Sequence, residues 1–281
     1  MNFNYTGLEM DLGIKGKTAI VAGGSAGMGK ATALALAEAG VNLVISARRA
    51  QRLFTAADEI RARFKVSVTP VVADHATQKG RDKLFECCDT PDILVITISP
   101  PSLVWNYNDI TEQDWITSVE SGLIGPVELM KRFSQSMVDK KWGRIVNIAT
   151  VAAKYPLDMR LMSGPARSAL ANYTSVVSRD LAKHNVVMNN VLPGMYATEG
   201  MLELAKPHEA MIEARYGKEA VENLTPELVH KMTLDLFDIP TQTLGEPNDL
   251  AQFVALLCSE AAKFTVGQNI VLDGGMARGL F

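Results

Sequence analysis

Apolar residues gather in short runs along the chain, separated by longer amphipathic stretches. The runs are "TAIVAG" (18–23), "NLVIS" (42–46), "VTPVVA" (68–73), "DILVITI" (92–98), "GRIVNIA" (143–149), "VVMNNVL" (186–192) and "QNIVLD" (268–273). Most are continuous rather than alternating, as expected of parallel strands covered on both faces. The stretches between them read as helices. In 247–260, Ala251, Val254, Ala255 and Cys258 stand at i, i+3, i+4 and i+7 and share one helix face. Thr111, three residues ahead of Asp114, marks a helix start before a long segment over 112–140. Strands alternating with helices predict an α/β fold with a doubly wound parallel sheet and right-handed crossovers.

Residues 199–240 break this pattern. They read as helical, contain no strand run, and carry nine acidic against four basic side chains. We read them as an insertion over one end of the sheet, within a single domain spanning 1–281. Residues 1–9 read as a loose extension. The chain shows no repeats, low-complexity tract or linker.

Composition narrows the classes. Hydrophobic residues make up 47% and charged residues 21%, the profile of a soluble globular protein. A net charge of −3 argues against nucleic acid or an anionic membrane as partner. No apolar run reaches the roughly 18–20 residues that span a bilayer, and the N-terminus lacks the basic and apolar regions of a signal peptide. Cys87, Cys88 and Cys258 form neither a disulfide framework nor a zinc pattern, which favours reduced thiols and a cytoplasmic location. The four histidines form no metal-binding cluster.

The chemistry begins after the first strand, in "VAGGSAGMGKATALALAEAG". Gly23, Gly27 and Gly29 form G-x-x-x-G-x-G between a strand and a helix, with Ser25 and Met28 in the same loop. Glycine allows the tight turn and a close approach of a pyrophosphate. The helix N-terminus adds free N–H groups and the positive dipole end. The second strand ends "VISARR". An NAD site usually places an acid there for the ribose 2′-hydroxyl. Arg48 and Arg49 instead suit a 2′-phosphate, so the expected cofactor is NADP(H).

With "VVADH" (71–75), "GRIVNIAT" (143–150), "NNVLPGMYAT" (189–198) and "GQNIVLDGG" (267–275), these motifs resemble the short-chain dehydrogenase/reductases in order and spacing, over roughly residues 10–278. The resemblance implies a single Rossmann-type domain with a seven-stranded parallel sheet, and commonly a homotetramer. A dimer is the alternative. It implies that Asp74 meets the adenine. Pro193, Gly194 and Thr198 would meet the nicotinamide carboxamide, Ser99 would also border the cofactor, and 199–240 would act as a substrate lid. It further implies a small-molecule substrate.

The resemblance fails where that family does its chemistry. Its Asn-Asn-Ala-Gly should follow "DILV", where this chain has "ITIS" (96–99), Pro100 and Pro101. The helical asparagine aligns with Gly122 and the catalytic serine with Thr150. The catalytic tyrosine and lysine align with Ser163 and Arg167. None of the six tyrosines has lysine four residues on. The family tyrosine protonates the carbonyl while the cofactor delivers hydride, with its pKa lowered by the lysine. A serine ionises far less readily and is shorter by roughly 4 Å. Arg167 cannot shuttle protons, but it can bind the nicotinamide ribose or a substrate carboxylate. Tyr155, beside Lys154, and Tyr196 are the candidate substitute acids. Methionines 159, 162, 195, 201, 211 and 232 would give an adaptable apolar pocket. The expected function is therefore an NADP(H)-dependent oxidoreductase on a carbonyl or alcohol of an apolar small molecule, with a non-standard site. A non-redox lyase, dehydratase or hydrolase, and a cofactor-binding protein without turnover, are the alternatives.

Overall fold

The structure, a computed structural model, describes residues 11–97, 101, 103–104, 106–200 and 209–279. The extension at 1–9, Ser99, Pro100, Met201 and the C-terminal Leu280 and Phe281 lie outside the described residues, and the side chain of Met211 is likewise not described.

Seven strands form one parallel sheet: β1 (Thr18–Ala22), β2 (Asn42–Ala47), β3 (Val68–Val72), β4 (Ile93–Thr97), β5 (Gly143–Ile148), β6 (Val186–Pro193) and β7 (Asn269–Leu272). Their order is β3-β2-β1-β4-β5-β6-β7. Each falls on one of the apolar runs. Ala19, Val21, Ile93, Val95, Val146 and Ile148 face one core. Ile20, Ala22, Leu94, Ile96 and Ile145 face the other. Burial of both pleat faces is why the runs do not alternate.

The first core is closed by α1 (Gly27–Glu38), α2 (Ala50–Arg63) and α10 (Pro247–Leu257) through Leu36, Leu53, Ile60, Leu250 and Val254. The second is closed by α3 (Gln78–Cys87), α5 (Gly125–Lys140) and α6 (Ser163–Leu181) through Leu84, Leu129, Phe133 and Leu170. Fully burying a side chain of this size contributes about 1.5–3 kcal/mol. The predicted face Ala251, Val254, Ala255 and Cys258 is buried in full.

Thr111 opens α4 (Glu112–Val119) with a reciprocal capping box to Asp114. The long segment then departs from expectation. It is interrupted by a wide π turn over Glu120–Ile124 before α5 begins. Residues 199–240 contain α7 (Glu209–Tyr216), α8 (Lys218–Glu222) and α9 (Pro226–Leu236). They have no strand among the described residues. Ile212, Ala220 and Met232 make a small core of their own.

Candidate active site and cofactor cleft

The chain runs from β1 out to β2 and β3, then crosses back to β4 on β1's other side. A crevice therefore opens at the carboxyl ends of β1 and β4. Gly23 stands there with φ +90, and a Cβ at this position would run into the Thr97 carbonyl oxygen that ends β4. A Cβ on Gly29 would come 2.5 Å from the Thr97 methyl. Only glycine lets the start of α1 seat against both strand ends. Ser25 and Met28 line the loop, each partly buried. Ala26 caps α1 without a side-chain bond, and the first turn holds no acid, so the N–H groups keep their affinity for an anion. A Cβ on Gly27 would lie 3.4 Å from Thr198 Cγ2, so the glycine loop faces the loop after β6. In that loop Pro193 ends β6, and the Gly194 N–H donates to the Leu272 carbonyl at 2.9 Å.

A cavity of about 280 Å³ adjoins α3, lined by Arg48, Val72, Asp74, Thr77, Lys79 and Lys83 among others. Arg48 and Arg49 are exposed. Asp74 accepts from the Ala76 N–H at 3.1 Å, which fixes its carboxylate at the cavity wall. Thr77 caps α3 by accepting from the Gly80 N–H at 3.1 Å. Lys79 and Lys83 add positive charge that the motif reading passed over. Their spacing on one helix face was the available signal. Next to Asp74, burial lowers the pKa of His75 to about 4 and keeps its ring neutral.

A second cluster lies at the head of α6. Ser163 is its first residue and Arg167 follows one turn later. Each is only 2% exposed. The Ser163 Oγ is buried without a hydrogen-bond partner among the described residues. The π turn lies beside this helix, and a Cβ on Gly122 would come 3.3 Å from Arg167 Nη1 and 3.0 Å from the Ala166 Cβ. The missing side chain at 122 leaves room for the guanidinium. Arg160 precedes α6, and its Nη1 is also buried without a hydrogen-bond partner among the described residues. Burial, and then the charge of Arg160, lower the Arg167 pKa to about 10, so it remains a cation at neutral pH. Sequence reading missed Arg160, because it lies outside every motif.

The segment after β5 rests on this helix. The Ser168 hydroxyl donates to the Ala153 carbonyl at 2.6 Å, and a Cβ on Gly164 would come 2.9 Å from the Ala152 carbonyl. Thr150 opens that segment, partly exposed, accepting from the Ala152 N–H at 3.3 Å. Tyr155 closes it. Lys154 Nζ lies 5.5 Å from the Tyr155 ring centroid, and a Cβ on Gly279 would come 2.8 Å from the Tyr155 hydroxyl. Tyr196 is elsewhere, its ring packed on Gly245. Burial, Asp249 and Asp273 push its pKa up to about 12, which makes it a poor acid. Methionines 159, 162 and 232 are buried, Met232 in the small core of 199–240. Among the described residues no group of three or more His, Cys, Asp or Glu could hold a metal ion.

The family model for short chain dehydrogenases matches residues 17–209. The chain belongs to this family. A second model, described as Enoyl-(Acyl carrier protein) reductase, matches residues 237–277. Among curated relatives of this short-chain dehydrogenase, the uncharacterized oxidoreductase YvaG of Bacillus subtilis is 32% identical, covering 97% of this chain and all of that one. The NADPH-dependent reductase BacG of the same organism is 27% identical, over 94% and 99%. The structure of L-sorbose reductase from Gluconobacter frateurii, complexed with NADPH and L-sorbose, is 28% identical with a TM-score of 0.87, over 96% of this chain and 100% of that one.

Proposed function

We propose that this short-chain dehydrogenase is an NADP(H)-dependent oxidoreductase acting on the carbonyl or alcohol of a small, largely apolar molecule. Its acid/base site is rebuilt around Ser163 and Arg167. The observation that carries the reading is the cradle at the β1 and β4 ends, where Gly23 and Gly29 leave space that any side chain would fill. Relatives named for NADPH support the cofactor. Gly23, Ser25, Gly27, Met28 and Gly29 hold its pyrophosphate on the N-terminus of α1. Arg48 and Arg49 take the 2′-phosphate, and Asp74 the adenine. Pro193, Gly194 and Thr198 border the nicotinamide end, and Ser99 is assigned to the cofactor from the sequence alone. NADP(H), when bound, supplies the hydride chemistry.

The chain's own residues supply the rest. Arg167 stays protonated and holds oxygens rather than moving protons. Thr150 and Ser163 offer hydroxyls to the reacting oxygen. Tyr155, on the segment that packs against α6, provides the proton in place of the missing family tyrosine. Residues 199–240 cover the substrate, and Met159 and Met162 pack beneath it. Loss of NADPH absorbance on a carbonyl panel tests the reaction. No oxidation or reduction with any member would favour a non-redox or non-catalytic role. Tyr155→Phe should cost ~10² in kcat, within the range of a lost general acid. A loss under about threefold removes Tyr155 from the mechanism.

The assembly is a homo-oligomer, a tetramer or a dimer. Exposed Trp115, Ile116, Val176 and the 99%-exposed Phe264 support it, being costly to leave in water. Sedimentation showing only a 30.5 kDa species at micromolar concentration would refute it. No described helix is long and apolar enough to cross a membrane. The three cysteines are unbridged, which suits a reducing, cytoplasmic compartment.

A further inference from the structure

We propose that Arg52 and Glu199 form an exchange switch at the mouth of the crevice, in which the 2′-phosphate of NADP(H) displaces the Glu199 carboxylate from the Arg52 guanidinium. The inference rests on the NADP(H) reading of the crevice, and it makes both residues determinants of cofactor choice.

The starting point is an ion pair that crosses the molecule. Arg52 stands in the first turn of α2, and its guanidinium donates to the Glu199 carboxylate, 147 residues away in the chain. Neighbouring cations pair closer to home: Lys30 with Glu59 at 2.6 Å, Arg61 with Asp58 at 2.8 Å and Arg63 with Glu59 at 3.7 Å. Glu199 directly follows Thr198, whose Cγ2 would lie 3.4 Å from a Cβ on Gly27 of the glycine loop. The pair therefore bridges from the carboxyl end of β2 to the loop after β6. Arg48, four residues before Arg52, lines the cavity beside α3. The first turn of α2 holds no acid of its own, so this carboxylate reaches Arg52 from across the crevice. Its side chain is 66% exposed against 35% for Arg52, which makes Glu199 the wetter partner and the one more easily displaced.

A guanidinium fork matches a carboxylate and a phosphate alike in shape. A phosphate monoester brings more charge, about −1.5 to −2 at pH 7, and three strong acceptor oxygens. In NADPH that phosphate belongs at the β2 end, where Arg48 stands. NADH presents a hydroxyl there, which cannot compete with a carboxylate for a cation. NADPH therefore frees Glu199, and NADH leaves it bound. Glu199 is the first residue of 199–240, the segment that covers the substrate in the reading above. The exchange thus tells that segment which cofactor is present. The coupling is reciprocal, so the hold of Glu199 on Arg52 lowers the affinity for the phosphate. An ion pair this exposed is weak, so affinities should move only a few-fold.

NADPH and NADH, which differ only in the 2′-phosphate, are the probes, titrated by fluorescence onto the full chain at low ionic strength. Glu199→Gln should tighten NADPH about threefold and leave NADH unchanged. Arg52→Met should weaken NADPH about threefold and again spare NADH. Adding Glu199→Gln to Arg52→Met should change nothing further, because the competition has lost its object. Backbone amide exchange over residues 196–200 should be several-fold faster with saturating NADPH than with saturating NADH. If Glu199→Gln tightens both cofactors, or still tightens NADPH without Arg52, Glu199 acts as a general repulsive charge and the switch is wrong. If Glu199→Gln weakens both, the pair is a clasp that holds the crevice together, and the switch is again wrong. Equal amide exchange with the two cofactors would also overturn it, since Glu199 would then stay in place when the phosphate binds. Binding of neither cofactor would overturn the NADP(H) reading and the switch with it. The full pattern without turnover of any carbonyl sinks the redox reading alone.

Discussion

Two clusters of cations flank the crevice, and the protein treats them in opposite ways. Around the cavity beside α3, Arg48 and Lys79 are exposed, with Asp74 in the same wall. Water solvates such charges, and holding them costs little. At the head of α6, Arg167 is 2% exposed and Arg160 has a buried Nη1. Burying an ion costs several kcal/mol even after relaxation. Beside Asp74, His75 meets the same demand by giving up its proton. The cluster beside α3 thus avoids buried charge, and the cluster at the head of α6 keeps it. Buried charge that persists points to chemistry rather than to stability.

The largest expected effect tests the neutral side of that contrast. His75 has an ordinary pKa of 6.5 and a folded value of about 4. The unfolded chain therefore takes up a proton from about pH 6.5 downward, while the native state resists it until about pH 4. Stability from this group is complete above pH 6.5 and is lost as pH falls through that window, by no more than about 3 kcal/mol. His75→Gln should flatten the acid limb of stability by that order. Denaturant melts of both proteins from pH 7 to 4 check it. Parallel curves would show that His75 titrates normally.

Next comes the charged side. Ser163→Tyr with Arg167→Lys puts the tyrosine and lysine that the sequence alignment expects at a site already packed. If the site is rebuilt, kcat/KM on its own substrate should fall by ~10² or more. A melt within a few degrees of wild type would separate this from unfolding. A rise in generic carbonyl reduction would mean that Ser163 is the remnant of an ordinary relay.

The third expected effect returns to the cradle. Gly29→Ala puts a methyl 2.5 Å from the Thr97 methyl, so α1 must shift away from the strand ends. NADPH affinity should drop about thirtyfold, roughly 2 kcal/mol. Unchanged NADPH affinity would mean that the cofactor does not use this cradle.

How much of this could be read from sequence follows the same division. All seven strands lie on the apolar runs, most of them continuous, because the central parallel strands are buried on both faces and leave that signature. The glycine loop was legible because its spacing is dictated by backbone geometry that no other residue can satisfy. The π turn over Glu120–Ile124 was not legible, since its residues match a helical pattern as well as the flanking turns do. Arg160 was missed because burial of a cation depends on which loop closes over it, and no local pattern encodes that. Tyr196 lay beside a recognised motif, yet its ring packs on Gly245, nearly fifty residues away in the chain.

The smallest expected effect concerns Arg48, and salt is what makes it informative. Arg48 lines the cavity beside Asp74 but stands exposed, so its pull on a 2′-phosphate acts largely through water. A charge-assisted bond of this kind should give NADPH about a tenfold advantage over NADH, roughly 1.4 kcal/mol, at low ionic strength. Arg48→Ala should remove most of it, leaving Arg49, Arg52, Lys79 and Lys83 as weaker attractors. At 0.5 M salt the screening length falls well below 10 Å, and the wild-type preference itself should shrink by about threefold. Fluorescence titrations of NADPH and NADH at two salt concentrations make the comparison directly. Equal NADPH and NADH affinities in wild type would remove Arg48 as the selector. A preference that salt leaves unchanged would mean that the cations beside α3 are as shielded from water as those at the head of α6, and the contrast between the two clusters would collapse.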